Sequence, residues 1–211
     1  MRINYWFLYK LILISILLFS VNVYGSPAEL SSFNDNFQVR PIDKYTNKYD
    51  EHFRKYSKQY FGIGFDWKWF KSQTLAESAF NETIKSPVGA QGLMQIMPGT
   101  FREISAKTGI PNQPFNSKWN ISAGIYYDST LYFQWRSPRP EIDRISKMMA
   151  SYNAGIGNIL KAQKICTAEG SPDCNTWKGV KRVAPKVTSW KSAETIGYVS
   201  RITKLMGIAG F

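Results

Sequence analysis

Glu77 is the residue of this sequence whose type and setting best suit proton transfer. It lies near the end of an apolar, roughly helical pattern from Trp67 to Phe80, and a loop rich in small residues follows it. A carboxyl group placed against Phe80 and neighbouring apolar side chains loses hydration, which raises its pKa. Such a group can act as a general acid near neutral pH. On helix position alone, however, a solvated surface glutamate is the commoner outcome.

The residue inventory narrows the chemistry further. The 211 residues include one histidine, His52, and two cysteines, which are too few for a histidine-rich or cysteine-rich metal site. We therefore predict no metal and no cofactor, although counting leaves a carboxylate-only site for a hard ion open. The 27 Lys and Arg residues exceed the 15 Asp and Glu residues, for a formal net charge of +12. This charge suits a cell-wall polymer, an anionic membrane surface or a nucleic acid.

The first 25 residues have the layout of a secretory signal peptide. Basic Arg2 and Lys10 accompany an uncharged apolar run over residues 11–23, and we predict cleavage after Gly25. The predicted location is therefore the periplasm or the cell envelope. The alternative is an uncleaved anchor that keeps the protein at a membrane, but the run is shorter than the roughly 18 to 20 residues that span a bilayer. Export and the dispersed basic residues both argue against a nucleic-acid partner.

The elements that must position Glu77 are predicted to be helices. We expect residues 26–60 to form a linker and a short helix, and residues 61–211 to form one all-α domain. The predicted helices cover residues 49–60, 67–80, 121–135, 142–152 and 194–206. One further helix is predicted to begin near residue 98 and to end before residues 111–114, and another follows residue 157 and ends near residue 164. A loop is predicted over 81–92, a turn over 153–157 and irregular structure over 167–190. In an oxidising compartment we expect a Cys166–Cys174 disulfide, with two free thiols as the alternative.

Four separated sequence blocks favour a catalytic role for Glu77 over that of a solvated surface residue. The first begins E-S-A-F at Glu77 and continues S-P-V-G-A-Q-G-L-M-Q-I-M-P-G-T from Ser86. The others are N-I-S-A-G-I-Y-Y at 120–127, A-S-Y-N-A-G at 150–155 and E-T-I-G-Y-V at 194–199. In this order they resemble the signature of the soluble lytic transglycosylase family. Within that family, the sequence looks most like the catalytic module of the membrane-bound F group. One departure is A-S-Y where the family pattern has A-A-Y.

The resemblance implies a lysozyme-like, goose-type helical fold with an active-site cleft, and peptidoglycan glycan strands as the partner. It implies that Glu77, as the single acid/base, protonates the β-1,4 bond between N-acetylmuramic acid and N-acetylglucosamine. The same carboxylate then takes the proton of the muramoyl C6 hydroxyl, which closes a 1,6-anhydro ring. Intramolecular attack has a large effective concentration. The substrate acetamido group assists, which makes this an exception to the two-carboxylate rule.

The resemblance also implies a set of substrate-binding residues, each with a structural alternative. Ser86 would bond near the acid or cap the loop, Gln95 would bind a sugar amide or hold the loop, and Tyr152 would hold a carboxyl or acetamido group or only pack. Glu194 would meet a stem-peptide amine or favour a helix N-terminus. The full predicted set is Ser86, Met94, Gln95, Met97, Tyr127, Tyr152, Asn153, Glu194 and Tyr198.

Two other functions stay open at this point. A muramidase or other hydrolase of the same fold would need activated water and usually a second acid, but Glu82 and Asp128 do not stand at motif positions for that task. A non-catalytic wall-binding module would not need Glu77. The biological setting is equally open, because wall turnover, secretion, conjugation and phage assembly could all use this domain.

Overall fold

Eight α-helices make up most of the part of the chain that the structure, a computed structural model, describes: residues 41–208. Two isolated β-bridges in the loop after the second helix are the only extended pairings within this range. The helices are α1 Asp50–Phe61, α2 Lys68–Ser78, α3 Pro98–Thr108, α4 Ser117–Tyr132, α5 Glu141–Ala154, α6 Ile156–Ala168, α7 Trp177–Val183 and α8 Ser192–Leu205. Short 3₁₀ turns cover Ile42–Lys44 and Ala184–Lys186. The predicted all-α class is confirmed.

The predicted signal peptide, residues 1–25, and the predicted linker up to residue 40 lie outside the described residues. Within 41–208, no helix combines the length and the apolar character that crossing a bilayer requires.

Helix α4 occupies the middle of the fold. It packs against α1, α3 and α5, while α5 also packs against α6, α7 and α8. The amide side chain of Asn116 caps α4, since its Oδ1 accepts a hydrogen bond from the Trp119 N–H at 3.3 Å. The first helix belongs to the same core, because Phe53 and Tyr56 are buried in the cluster that also contains Ile121 and Ile125 of α4.

Helix α2 holds the predicted acid and begins one residue later than the sequence pattern predicts. The carboxylate of Asp66, just before the helix, accepts a hydrogen bond from the Lys68 N–H at 3.0 Å and so satisfies one of the free N–H groups of the first turn. Buried Trp69 and Phe70 fix the first turn of α2 in the core. At the other end, α2 packs against α8 and thereby brings the last described helix to the region of Glu77.

Two local predictions differ from the structure. Residues 167–190 are not irregular throughout, because α7 forms there with Thr176 as its cap: the Thr176 Oγ1 accepts from the Gly179 N–H at 3.1 Å. Gly179 also packs so closely on the Asp173 carbonyl that a Cβ would overlap it. The predicted turn at 153–157 shrinks to Gly155, whose positive φ of 77° separates α5 from α6.

A disulfide joins Cys166 at the end of α6 to Cys174 before α7, with an Sγ–Sγ distance of 2.09 Å. It closes a short loop with a sequence separation of 8. The carbonyl oxygen of Cys174 also accepts a hydrogen bond from the buried Lys147 ammonium at 3.3 Å. The bridge therefore fixes the position of α7 relative to α5 and α6.

We expect the double variant Cys166→Ala/Cys174→Ala to unfold at a lower urea concentration than the parent protein. The physical reason is that an unlinked chain gains conformational freedom in the unfolded state, which for a loop this short is worth about 2 to 3 kcal/mol. Urea titrations with and without reductant measure the effect, and reductant should change only the parent protein. Equal midpoints for the parent and the double variant would contradict the prediction.

Candidate active site

Glu77 lies in the last turn of α2, and the chain leaves that turn through two strained residues. Ala79 and Phe80 have positive φ angles of 49° and 64°, a conformation that residues with a Cβ rarely adopt. Gln95, in the following loop, has a φ of 46°. These are the only positive-φ residues other than glycine within 41–208, and such strain concentrates at functional sites.

The Glu77 carboxyl is held by a tyrosine from the far end of the chain. The phenolic hydroxyl of Tyr198 on α8 donates a hydrogen bond to Glu77 Oε1 at 2.6 Å. Burial raises the pKa of Glu77 to about 7, while the Tyr198 hydrogen bond and the charge of Arg201 lower it and the charge of Glu194 raises it. The carboxyl is therefore poorly hydrated, while the residue as a whole keeps part of its surface exposed.

This arrangement can perform acid–base chemistry. A carboxyl group with a pKa of about 7 is substantially protonated at neutral pH and can give its proton to a bound oxygen. The Tyr198 hydroxyl then stabilises the carboxylate that remains. The same group can therefore act first as an acid and then as a base.

The loop after α2 is stabilised by its own backbone and by predicted site residues. Ser86 is buried, and its hydroxyl accepts a hydrogen bond from the Ala90 N–H at 2.9 Å, which is the loop-capping role. The Gln95 amide nitrogen donates to the Gly92 carbonyl at 2.8 Å and to the Ile84 carbonyl at 3.3 Å. Both side chains thus hold the loop, whatever else they bind.

Buried Asn120 of α4 fastens this loop to the core. Its Oδ1 accepts from the Met94 N–H at 2.7 Å, and its Nδ2 donates to the carbonyl oxygens of Gln91 at 3.0 Å and Pro114 at 2.7 Å. Gly92 must be glycine here, because a Cβ would overlap the Pro114 carbonyl and the Asn120 amide. Asn120 belongs to the second sequence block, but the sequence alone did not assign it a role.

Met94 is a core residue and does not line a surface. It is fully buried, and its thioether lies where a side chain at position 124 would be, which explains Gly124. Its carbonyl oxygen accepts a hydrogen bond from the Tyr152 hydroxyl at 2.7 Å. Met97, by contrast, is half-buried immediately before α3.

The aromatic residues from α4, α5 and α8 surround the acid. The rings of Tyr127 and Tyr152 lie 5.4 Å apart, centroid to centroid. The Tyr152 hydroxyl donates to the Met94 carbonyl oxygen, whereas the Tyr198 hydroxyl donates to the Glu77 carboxyl. The Asn153 Oδ1 accepts from the Thr195 hydroxyl at 2.7 Å. The indole of Trp190 in turn donates to Thr195 at 3.0 Å and ties this edge to α8, a connection that the sequence did not reveal.

Glu194 stands in the first turn of α8, one helical turn before Tyr198, so both side chains project from one face. Partial burial raises its pKa, and the charge of Lys191 lowers it. Its place in the first turn also favours a negative charge through the helix dipole.

Potential metal ligands are sparse in residues 41–208. One group of three lies within ligand distance, namely Cys166, Asp173 and Cys174, and its two sulfurs are already bonded to each other. A groove of about 410 Å³ lies elsewhere on the surface, lined by Trp135, Arg136, Arg139 and Leu160 among others, and it contains none of the residues around Glu77.

The chain is similar in sequence to a family of known proteins. The Transglycosylase SLT domain family model matches residues 55–171, more than half of the chain. Membrane-bound lytic murein transglycosylase F of Shewanella pealeana is 29% identical over 160 residues, which cover 76% of this chain and 31% of that protein. Its namesake in Desulfosudis oleivorans is 31% identical over 137 residues, 64% of this chain and 29% of that protein.

Solved structures agree with this result. The 70 kDa soluble lytic transglycosylase Slt70 of Escherichia coli matches with a TM-score of 0.52 and 26% identity, over 76% of this chain and 25% of that chain. An inactive mutant of the lytic transglycosylase Slt of Pseudomonas aeruginosa matches with a TM-score of 0.53 and 25% identity, over 76% and 24%. These matches confirm the predicted lysozyme-like fold. The chain spans less than a third of the length of these relatives.

The raised pKa of Glu77 predicts a pH-dependent effect of the variant Glu77→Gln on stability. The pKa is 4.5 in the unfolded reference and about 7 in the folded protein, so the stability linked to this proton is present below pH 4.5 and is lost as the pH rises through 7. Glutamine does not titrate. Relative to the variant, the wild type should therefore lose up to about 3 kcal/mol of unfolding free energy across that window.

Urea unfolding of both proteins at a series of pH values measures this difference. A difference that stays constant across the window would show that Glu77 is as well hydrated in the folded state as in the unfolded chain.

Proposed function

The chain belongs to the Transglycosylase SLT domain family, and we propose that it is a lytic transglycosylase that cleaves peptidoglycan. The observation that carries the proposal is the poorly hydrated Glu77 carboxyl under the Tyr198 hydroxyl. The names of the relatives add support, since the similar proteins are called lytic murein transglycosylases. The 70-kDa soluble lytic transglycosylase, which this chain resembles in part, forms a complex with bulgecin A.

In the first step that we propose, protonated Glu77 donates its proton to the oxygen of the β-1,4 bond between N-acetylmuramic acid and N-acetylglucosamine. The C1–O bond breaks, the N-acetylglucosamine oxygen leaves as a hydroxyl, and positive charge develops at C1 of the muramoyl sugar. The substrate acetamido group supports that charge. A pKa of about 7 keeps much of the acid loaded with a proton at neutral pH.

In the second step, the Glu77 carboxylate takes the proton of the muramoyl C6 hydroxyl. The C6 oxygen bonds to C1 of the same sugar and leaves a 1,6-anhydromuramoyl end. The proton that Glu77 gave has returned, no water is consumed, and one carboxyl serves both steps. An attacking group that is already part of the bound sugar benefits from high effective concentration.

Substrate contacts can be proposed for the surrounding polar groups. The Gln95 amide nitrogen is committed to backbone carbonyls, which leaves its carbonyl oxygen for a sugar amide N–H. Half-buried Glu194, on the same face of α8 as Tyr198, would meet a stem-peptide amine. Met97, Tyr127, Tyr152 and Asn153 would line the binding surface. Buried Ser86 and Met94 would act by shaping the loop beneath it.

We propose that residues 1–25 direct export and that the mature enzyme acts in the cell envelope. Its catalytic domain would cover residues 61–211 and pack on α1. The formal net charge of +12 suits an anionic wall polymer. Wall turnover and the local opening of murein for secretion, conjugation or phage entry all require the same bond cleavage.

Digestion of purified sacculi by the protein lacking residues 1–25 tests the reaction. We expect anhydromuropeptides, each lighter by one water than the reducing muropeptide that hydrolysis would release, and mass spectrometry separates the two. The variant Glu77→Gln should release neither, with a rate lower by a factor of about 100 or more because it cannot donate a proton. The matched control Glu103→Gln, at an exposed position on α3, should digest like the wild type.

Reducing muropeptides would contradict the transglycosylase and favour the hydrolase. Undiminished lysis by Glu77→Gln would show that another residue performs the chemistry, and a lack of lysis by the wild type would favour a wall-binding module.

The variant Tyr198→Phe tests how the acid is held. Its hydroxyl hydrogen bond lowers the pKa of Glu77, so its loss should move the alkaline limb of the pH–rate profile to higher pH. The rate should also fall by a factor of about 10 to 100, because the carboxylate loses its donor. Tyr132→Phe is the matched control, since Tyr132 donates to Glu141 instead. A limb that stays in place would show that the hydrogen bond does not act on the catalytic carboxyl.

A further inference from the structure

A second carboxyl group is buried deep in the fold and plays no part in the reaction described above. Asp128 of α4 is fully buried, and its Oδ1 accepts a hydrogen bond from the Gln73 amide nitrogen of α2 at 3.3 Å. Its other oxygen, Oδ2, is buried without a partner, and so is the Oε1 of Gln73. Each residue of the pair therefore has one buried acceptor oxygen without a donor.

This pair adjoins the catalytic acid. Gln73 and Glu77 are four residues apart on α2, so their side chains are neighbours on one face of that helix. Asp128 contacts Gln73, and Tyr127, which precedes Asp128, packs on Tyr152. The Asp128–Gln73 pair consequently lies one helical turn behind Glu77, towards the interior.

Within residues 41–208, the groups that shift the pKa of Asp128 include no positive charge that would stabilise its carboxylate. The ionisable groups that interact with it from the packed helices are acids and phenols. They are Glu77 of α2, Tyr152 of α5 and Tyr198 of α8. From α1, Tyr60 approaches α4 but shares a hydrogen bond with the Ser122 hydroxyl. Ionised Asp128 would be a buried, unpaired charge beside Glu77, which is a costly state.

Protonation of Asp128 would remove the buried charge and would supply a donor for an unpaired oxygen. If Oδ2 carries the proton, Asp128 becomes a donor and can bond the otherwise unpaired Oε1 of Gln73. The acid and the amide then form two antiparallel hydrogen bonds, and every buried polar atom of the pair has a partner. Burial and the nearby Glu77 both raise the pKa of Asp128, in agreement with this geometry.

We propose that Asp128 is a permanently neutral carboxylic acid that pairs with the Gln73 carboxamide and acts as a positioning residue for Glu77. The pair fixes the face of α2 that carries the acid without adding a second negative charge beside it. Glu77 can then become a carboxylate after giving up its proton. A neutral Asp128 also cannot activate water as a base, so the site has one working carboxylate. This role rests on the proposed function, whereas the protonation state does not.

Infrared difference spectroscopy tests the protonation state directly. The variant Glu77→Gln and the double variant Glu77→Gln/Asp128→Asn are compared at a pH of about 8, far above the ordinary pKa of aspartate. We expect the carbonyl stretch of a protonated carboxylic acid in the first and its loss in the second. Adding Gln73→Leu to Glu77→Gln should shift the band to higher frequency, because the carbonyl loses its hydrogen bond. Identical spectra for the first two proteins would overturn the proposal.

The pH–rate profile on murein tests the positioning role. Asp128→Asn preserves both hydrogen bonds to Gln73, so we expect kcat within about threefold of wild type and an unmoved alkaline limb. Asp128→Leu leaves the Gln73 amide buried and unpaired, and kcat should fall by a factor of about ten or more. An acidward shift of the limb in Asp128→Asn would show that Asp128 is charged in the wild type.

A loss of all activity in Asp128→Asn would show that Asp128 takes part in the chemistry, which also overturns the proposal. The infrared comparison uses proteins that lack Glu77, so it gives its answer even if the protein proves not to be a transglycosylase. A missing carboxylic-acid band would count against the neutral pair alone, whereas a murein digest without anhydro products would count against the proposed function alone.

Discussion

The hydrogen bond from Tyr198 to Glu77 is the interaction on which the site depends. Burial alone would favour a carboxyl that never ionises, and full hydration would favour one that never holds a proton at neutral pH. The Tyr198 hydroxyl, 2.6 Å from Glu77, offsets part of the desolvation and leaves the pKa at about 7. That balance requires α8 to pack on α2, two helices that are far apart in the sequence.

Helix α4 supports the opposite side of the same site. The side-chain amide of Asn120 ties the loop after α2 to the core, because it hydrogen-bonds the backbone N–H of Met94 and the backbone carbonyl oxygens of Gln91 and Pro114. The loop reaches this position through the left-handed conformations of Ala79, Phe80 and Gln95. Backbone strain of this kind persists only where the surroundings determine the conformation, and here the buried amide of Asn120 and the close approach at Gly92 do so.

The hydrophobic pattern was sufficient to predict most helices and the place of Glu77, because apolar periodicity directly reports which face is buried. It did not predict α7, whose seven residues contain too few turns to show a period. Nor did it predict that Tyr152 bonds Met94 while Tyr198 bonds the acid, since the direction of a hydroxyl depends on distant parts of the chain. The Asp128–Gln73 contact was missed for a related reason: buried polar pairs interrupt the apolar pattern instead of contributing to it.

The most direct test of the central claim is the titration of the Glu77 carboxyl itself. Carbon-13 NMR of protein labelled at the glutamate side-chain carboxyl, with Glu77→Gln to assign the resonance, reports this pKa without any substrate. The account predicts that the assigned resonance titrates near 7. A midpoint near the ordinary value of 4.5 would show a hydrated carboxylate at neutral pH and would contradict the account.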